Sequence, residues 1–180
     1  MTLFLGTFLD TPDASAPSGV RLRADADAAL RVVDGVITER GPAADLRASH
    51  PDDDLVDLRE GLVLPGLVDT HVHFPQVRAI GALGMPLLEW LDRCALPEET
   101  RLASVDYARE VATEFVGGLV GAGTTTALVF GSHFASAVDV LFEEVDRVGL
   151  RVTSGLVSAT ARCPSRCSRR PSARTRSPWR

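Results

Sequence analysis

The sequence predicts an α/β chain in which short apolar strands alternate with amphipathic helices around a parallel sheet. Three observations support this. Residues Val63, Leu64, Leu67 and Val68 form an apolar run broken by Pro65-Gly66, as a buried parallel strand would. Val105, Ala108, Val111, Ala112, Phe115 and Val116 recur at intervals of three and four, the spacing of one helix face. Thr124–Phe130 and Leu150–Val157 are β-branched and apolar, with a helical pattern between them.

From the N-terminus, Leu3–Phe8 is apolar enough for a strand, and Asp10–Gly19 is a Pro/Ser/Ala/Asp loop. Ala29–Val33, Asp34-Gly35 and Val36–Glu39 read as a hairpin around an Asp-Gly turn. Ala43–Ser49 reads as a short helix, followed by a solvated Pro51–Asp54 loop that His50 precedes. A strand is expected over 63–72, helices over 86–93 and 98–121, and a helix stop at Gly121-Ala122-Gly123. A strand over 124–130, a helix over 134–148 and a strand over 150–157 complete the pattern. The expected organisation is 1–62, 63–158 and a tail of 159–180.

Composition sets bounds on function. No stretch approaches the roughly 20 apolar residues needed to cross a bilayer, so no membrane partner is expected. The first residues lack a basic segment and soon reach Asp10, which argues against a signal peptide and for a cytoplasmic protein. Three cysteines, Cys94, Cys163 and Cys167, give no disulfide framework. All 19 basic residues are arginine, a bias of GC-rich coding.

Charge is uneven. The last twenty residues hold seven arginines and no acid, whereas the whole chain is −5, so the body is strongly acidic. The Arg/Ser/Pro-rich tail has no aliphatic side chain larger than alanine and cannot build a core. A shifted reading frame in a GC-rich gene would produce such a composition. A basic arm for nucleic acid is the less favoured reading.

The most informative motif is Asp69-Thr70-His71-Val72-His73. Residues i and i+2 of a strand share a face, with Cα atoms about 6.6 Å apart. Two imidazoles so placed can close on one metal ion. At the C-terminal end of a parallel strand they would stand where barrel enzymes build their sites.

LVLPGLVDTHVH resembles the first barrel strand of the amidohydrolase superfamily, the metal-dependent (β/α)₈ hydrolases. His73-Phe74-Pro75-Gln76, Met85–Leu91 and Leu96-Pro97-Glu98-Glu99 resemble its guanine deaminase family in particular, and Gly123–Ala127 fits the second strand. The resemblance covers about residues 3–157. It implies a partial TIM-like barrel of about three strands, preceded by an N-terminal β-sandwich segment whose other half comes from far along the chain. A full barrel takes about 250 residues, more than these 180.

The implied chemistry is zinc-dependent hydrolysis of guanine to xanthine and ammonia, in purine catabolism. His71 and His73 would be metal ligands. The remaining ligands and a proton-shuttling glutamate belong to later strands, so this chain alone is expected to be inactive. Gln76 would contact the purine, since a side-chain amide both donates and accepts. Trp90 would either wall the purine pocket or pack in the core. Asp69 is expected to orient the strand end or a ligand histidine. His133, just after a strand, is placed at the substrate mouth or in a polar loop. Glu89 reads as a solvated or helix-start carboxylate. The resemblance leaves open a homo-oligomeric parent. Alternatives are another heterocyclic C–N hydrolase and a non-catalytic remnant. The H-x-E…P-C-x-x-C signature of the other zinc deaminase class is lacking.

Overall fold

The computed structural model describes residues 1–11 and 22–158. Most of the expected 10–19 loop and all of the 159–180 tail lie outside the described residues. Two compact units divide in sequence between Pro65 and Gly66.

The first unit is a four-stranded sheet of order β3-β2-β1-β4. β1 (Thr2–Asp10) runs antiparallel to β2 (Arg23–Val33) and parallel to β4 (Asp54–Val63); β3 (Val36–Pro42) is antiparallel to β2. The Asp34-Gly35 hairpin forms as expected. Both residues take positive φ, 49° and 77°, which the tight hairpin turn demands. α1 (Ala43–Ser49) closes one face, burying Ala43 and Leu46 with Leu3, Leu5 and Ala29. The described residues of this unit thus form one sheet and one helix; a sandwich would need a second sheet.

The expected solvated loop before β4 is exposed at Pro51, Asp52 and Asp54 but is tied down at Asp53. Asp53 has only 6% of its side chain exposed and accepts a 2.7 Å hydrogen bond from Arg31 Nε on β2. His50 is half-buried at the end of α1, with Nε2 2.8 Å from Glu39. Asp10 is held by both oxygens, 2.9 and 2.7 Å from Arg23 and 2.6 Å from Arg40.

The second unit is a three-stranded, all-parallel sheet of order β5-β6-β7: Leu67–His73, Thr124–Phe130 and Arg151–Gly155. Four helical segments are numbered α2 to α5 along this unit. Of these, α4 (Val105–Gly121) links β5 to β6, and α5 (Ala135–Val148) links β6 to β7. Val111, Ala112, Phe115 and Val116 of α4 and Val140, Leu141 and Val145 of α5 pack with Ala127 and Val129 of β6 in one core. Val72 and Val152, on the flanking strands, pack against the same core. The alternate side chains Leu128 and Phe130 lie on the opposite face, 47% and 40% exposed.

Two of the expected elements are each split in two. The strand expected over 63–72 is two strands. Val63 ends β4, paired with Phe8, while Leu67 opens β5 and donates its N–H to the Gly123 carbonyl at 2.9 Å. Pro65 has no N–H to give a ladder. Gly66 passes so close to β6 that a Cβ there would lie 2.1 Å from Thr125 Cγ2 and 2.6 Å from its Cβ. The helix expected over 98–121 is also two. α3 (Leu96–Arg101) ends before Ser104, whose hydroxyl caps α4 by accepting the Tyr107 N–H. Upstream, α2 (Leu87–Trp90) runs through a π-turn, Leu91–Ala95, into α3.

Gly66→Ala is expected to destabilise the chain by about 1–3 kcal/mol, because the clash is with a β-carbon that cannot rotate away. A denaturant titration of the purified variant checks this, and an unchanged midpoint would count against the close approach. For Asp10, hydrogen bonds from Arg23, aided by Arg40 and opposed by burial, lower the pKa from 3.8 to about 2. A depressed folded-state pKa adds stability above the ordinary carboxylate value and loses it as pH falls toward 2. Asp10→Asn should therefore be less stable at neutral pH, with the gap closing on acidification through that window; a gap independent of pH would contradict it.

Candidate metal and substrate site

The histidine pair sits where β5 ends. Asp69, His71 and His73 alternate with Val72, which turns to the helices, so the imidazoles stand on the opposite face of the sheet. The parallel pairing of His73 with Phe130 sets a ring beside them. His73 stacks on Phe130 at 4.5 Å between centroids with planes 9° apart, and His71 lies against the same ring at 4.7 Å. The two Nε2 atoms are 3.2 Å apart. Two nitrogens at that separation can both bond one ion at about 2.0–2.1 Å, near the tetrahedral angle. The geometry and the donor type therefore suit a metal such as zinc. Among the described residues, no group of three His, Cys, Asp or Glu side chains could hold one.

Asp69 does not point at the pair as a third ligand. Its Oδ1 accepts the backbone N–H of His71 at 3.0 Å, bracing the strand end. Burial, with the charge of neighbouring His71, lowers the His73 pKa; Glu99 pulls the other way. The neutral imidazole, the form a metal needs, is thereby favoured.

The chain leaves β5 through a 3₁₀ segment, Phe74–Ala79. Phe74 is fully buried and meets the Phe115 ring of α4 edge-on at 5.8 Å. That anchor positions Gln76, which is half-buried and donates from Nε2 to Glu99 Oε1 at 2.8 Å. The other carboxylate oxygen, Oε2, lies 2.9 Å from His133 Nε2, and His133 Nδ1 lies 3.0 Å from the Val157 carbonyl. Gln76 and His133, far apart in sequence, are thus joined by one carboxylate.

Sequence reasoning does not single out Glu99 as a site residue. It is only 9% exposed, rare for a glutamate without a partner. Its one sequence signal is its place in Leu96-Pro97-Glu98-Glu99, where nothing distinguishes it from Glu98. The structure separates them: Glu98 accepts from the Tyr107 hydroxyl and from Arg101. Trp90 ends α2, half-buried; no hydrogen bond or ring contact of the described residues ties it to the histidines or Gln76. Glu89 pairs with Arg93 one turn on, at 2.6 Å, as a surface carboxylate does.

With this geometry in place, comparison with known proteins agrees with the motif. The sequence profile of the amidohydrolase family matches residues 62–177, well over half of the chain. The chain belongs to the amidohydrolase family. A second profile, the bacterial imidazolonepropionase-like composite domain, matches residues 28–52.

Within the family the similarity is to guanine deaminases. A probable guanine deaminase of Deinococcus radiodurans is 52% identical over 162 residues, 87% of this chain and 37% of that protein. The solved structure of E. coli guanine deaminase superposes with a TM-score of 0.84 at 35% identity, covering 93% of this chain and 40% of that one. A guanine deaminase from C. acetobutylicum, with guanine bound in its active site, gives 0.79 at 26% identity, covering 92% and 38%. An adenosine deaminase from Xanthomonas campestris, solved with bound zinc, gives 0.60 at 25% identity, covering 84% and 32%. The chain spans less than half the length of each of these relatives.

Proposed function

We propose that this chain carries the opening part of a guanine deaminase site, and that the whole protein hydrolyses guanine to xanthine and ammonia. One observation carries the reading above the others. His71 and His73 converge to 3.2 Å at the end of a parallel strand, with Gln76 three residues on. The 52% identity to a probable guanine deaminase supports the substrate.

In this reading β5-β6-β7 begin a (β/α)₈ barrel, and the four-stranded unit is part of a composite β-sandwich. The profile match at 28–52 supports the second statement. His71 and His73 would hold zinc, which when bound would activate water for attack on the ring carbon bearing the amino group. Asp69 keeps His71 in register through its backbone N–H. Phe130 packs against both imidazoles and limits their rotation. Gln76 would meet a polar edge of the purine, and Trp90 would lie along the pocket. A cytoplasmic location fits this purine chemistry, and no helix of the described residues is long and apolar enough to cross a membrane.

Two measurements test the proposal. Zinc should bind the purified chain weakly, through two imidazoles, and His71→Ala or His73→Ala should weaken it by at least about tenfold. Calorimetric titration reads this directly; unchanged affinity in both variants would remove the pair from the metal site. Guanine turnover by the 180-residue chain should be undetectable by ammonia release, because two ligands fall short of the three that a catalytic zinc takes. Steady turnover by the pure chain would show that the site is complete without further residues.

A further inference from the structure

Glu99 is a buried carboxylate that the metal chemistry does not use. It touches neither histidine of the pair by any hydrogen bond of the described residues, yet both its oxygens are engaged. With Oε2 turned to the His133 ring, Oε1 is left to accept. The Gln76 atom facing it at 2.8 Å must therefore be the amide nitrogen. The usual ambiguity between the two ends of a glutamine amide is removed by this chemistry. The carbonyl Oε1, with no partner among the described residues, is left as the acceptor.

The other side of Glu99 is held by His133. His133 Nδ1 faces the Val157 carbonyl, which accepts only, so that nitrogen carries a proton. His133 Nε2 faces Glu99 Oε2 at 2.9 Å. Both side chains are 12% exposed, so this contact is shielded from water and fixes the carboxyl group.

We propose that Glu99, held in place by His133, is a positioning residue that fixes the Gln76 amide in one orientation. The carbonyl oxygen is then the atom offered to the bound heterocycle, which must bring a ring or exocyclic N–H. The inference rests on the assignment of Gln76 to the purine site. It adds Glu99 and His133 as the pair that sets the polarity of that contact. Glu99→Gln preserves size and both contacts, its carbonyl accepting from Gln76 and its amide donating to His133 Nε2. Glu99→Ala removes both.

The test is nitrogen-15 NMR of the full chain without metal or ligand, with signals assigned through His133→Gln and Gln76→Asn. In the wild type, His133 Nδ1 should carry a proton, and the two Gln76 amide protons should be widely separated. Glu99→Gln should leave the Gln76 pair near its wild-type positions. Glu99→Ala should collapse the Gln76 pair toward free-amide values. A wild-type His133 without a proton on Nδ1, Gln76 signals at unfolded-chain values, or Gln76 signals indifferent to Glu99→Ala would each overturn the proposal. Added guanine is a separate arm. No shift of the wild-type Gln76 signals would sink the substrate assignment, while the ligand-free signature alone decides the positioning role.

Discussion

The parallel pairing of β5 with β6 is the constraint on which the rest of the second unit depends. It sets His73 beside Phe130 and so places one aromatic ring against both imidazoles. A one-residue slip would turn His71 and His73 to the helix face and bring Val72 out. That slip is opposed from two directions. Val72 packs with Val129 and Val152 against α4 and α5, and Gly66 lets the chain enter β5 closer to Thr125 than any side chain would permit. The register is therefore fixed by apolar burial, and the polar site inherits its geometry from that packing.

Apolar burial also directs the chain beyond β5. Phe74 is inserted into the core next to Phe115, and the backbone tightens at once into a 3₁₀ turn. Gln76 is thereby delivered to α3, where Glu99 stands between it and His133. α3 reaches that place because the π-turn at Leu91–Ala95 shifts the helical phase and Ser104 ends the run before α4. A continuous helix from 98 to 121 would have locked Glu99 to the face set by the α4 core positions. The break frees it.

Much of this was legible in the residues. The period-2 histidines and the three-and-four spacing from Val105 to Val116 reflect local geometry, so sequence alone reveals them. Asp34-Gly35 gave its turn away for the same reason, since few other residues accept two left-handed positions in succession. Features that escape a sequence reading depend on partners distant in the chain. β4 is left unassigned between the Pro51–Asp54 loop and the strand expected from Val63, because its side chains are mostly exposed and its order comes from pairing with β1. Asp53 reads as solvated because Arg31, its partner, lies 22 positions away. Glu99 is hidden for the same reason: its partners lie 23 and 34 positions away, and no local pattern points at either. Ser104 is the exception, a capping residue with Asp106 in the first turn of its helix, a local signal that the periodicity from Val105 onward obscures.

The histidine pair and the apolar side chains Leu128 and Phe130 occupy the same sheet face. Phe130 serves both roles at once, packing against the imidazoles while 40% of it remains exposed. Low-dielectric surroundings hold an imidazole neutral, the form that binds metal. In His73, burial already acts in that direction. The surface that would bind metal is thus also the surface that gains most from being covered. Anything packed over Leu128 and Phe130 would therefore shield the proposed metal-binding histidines from water as well.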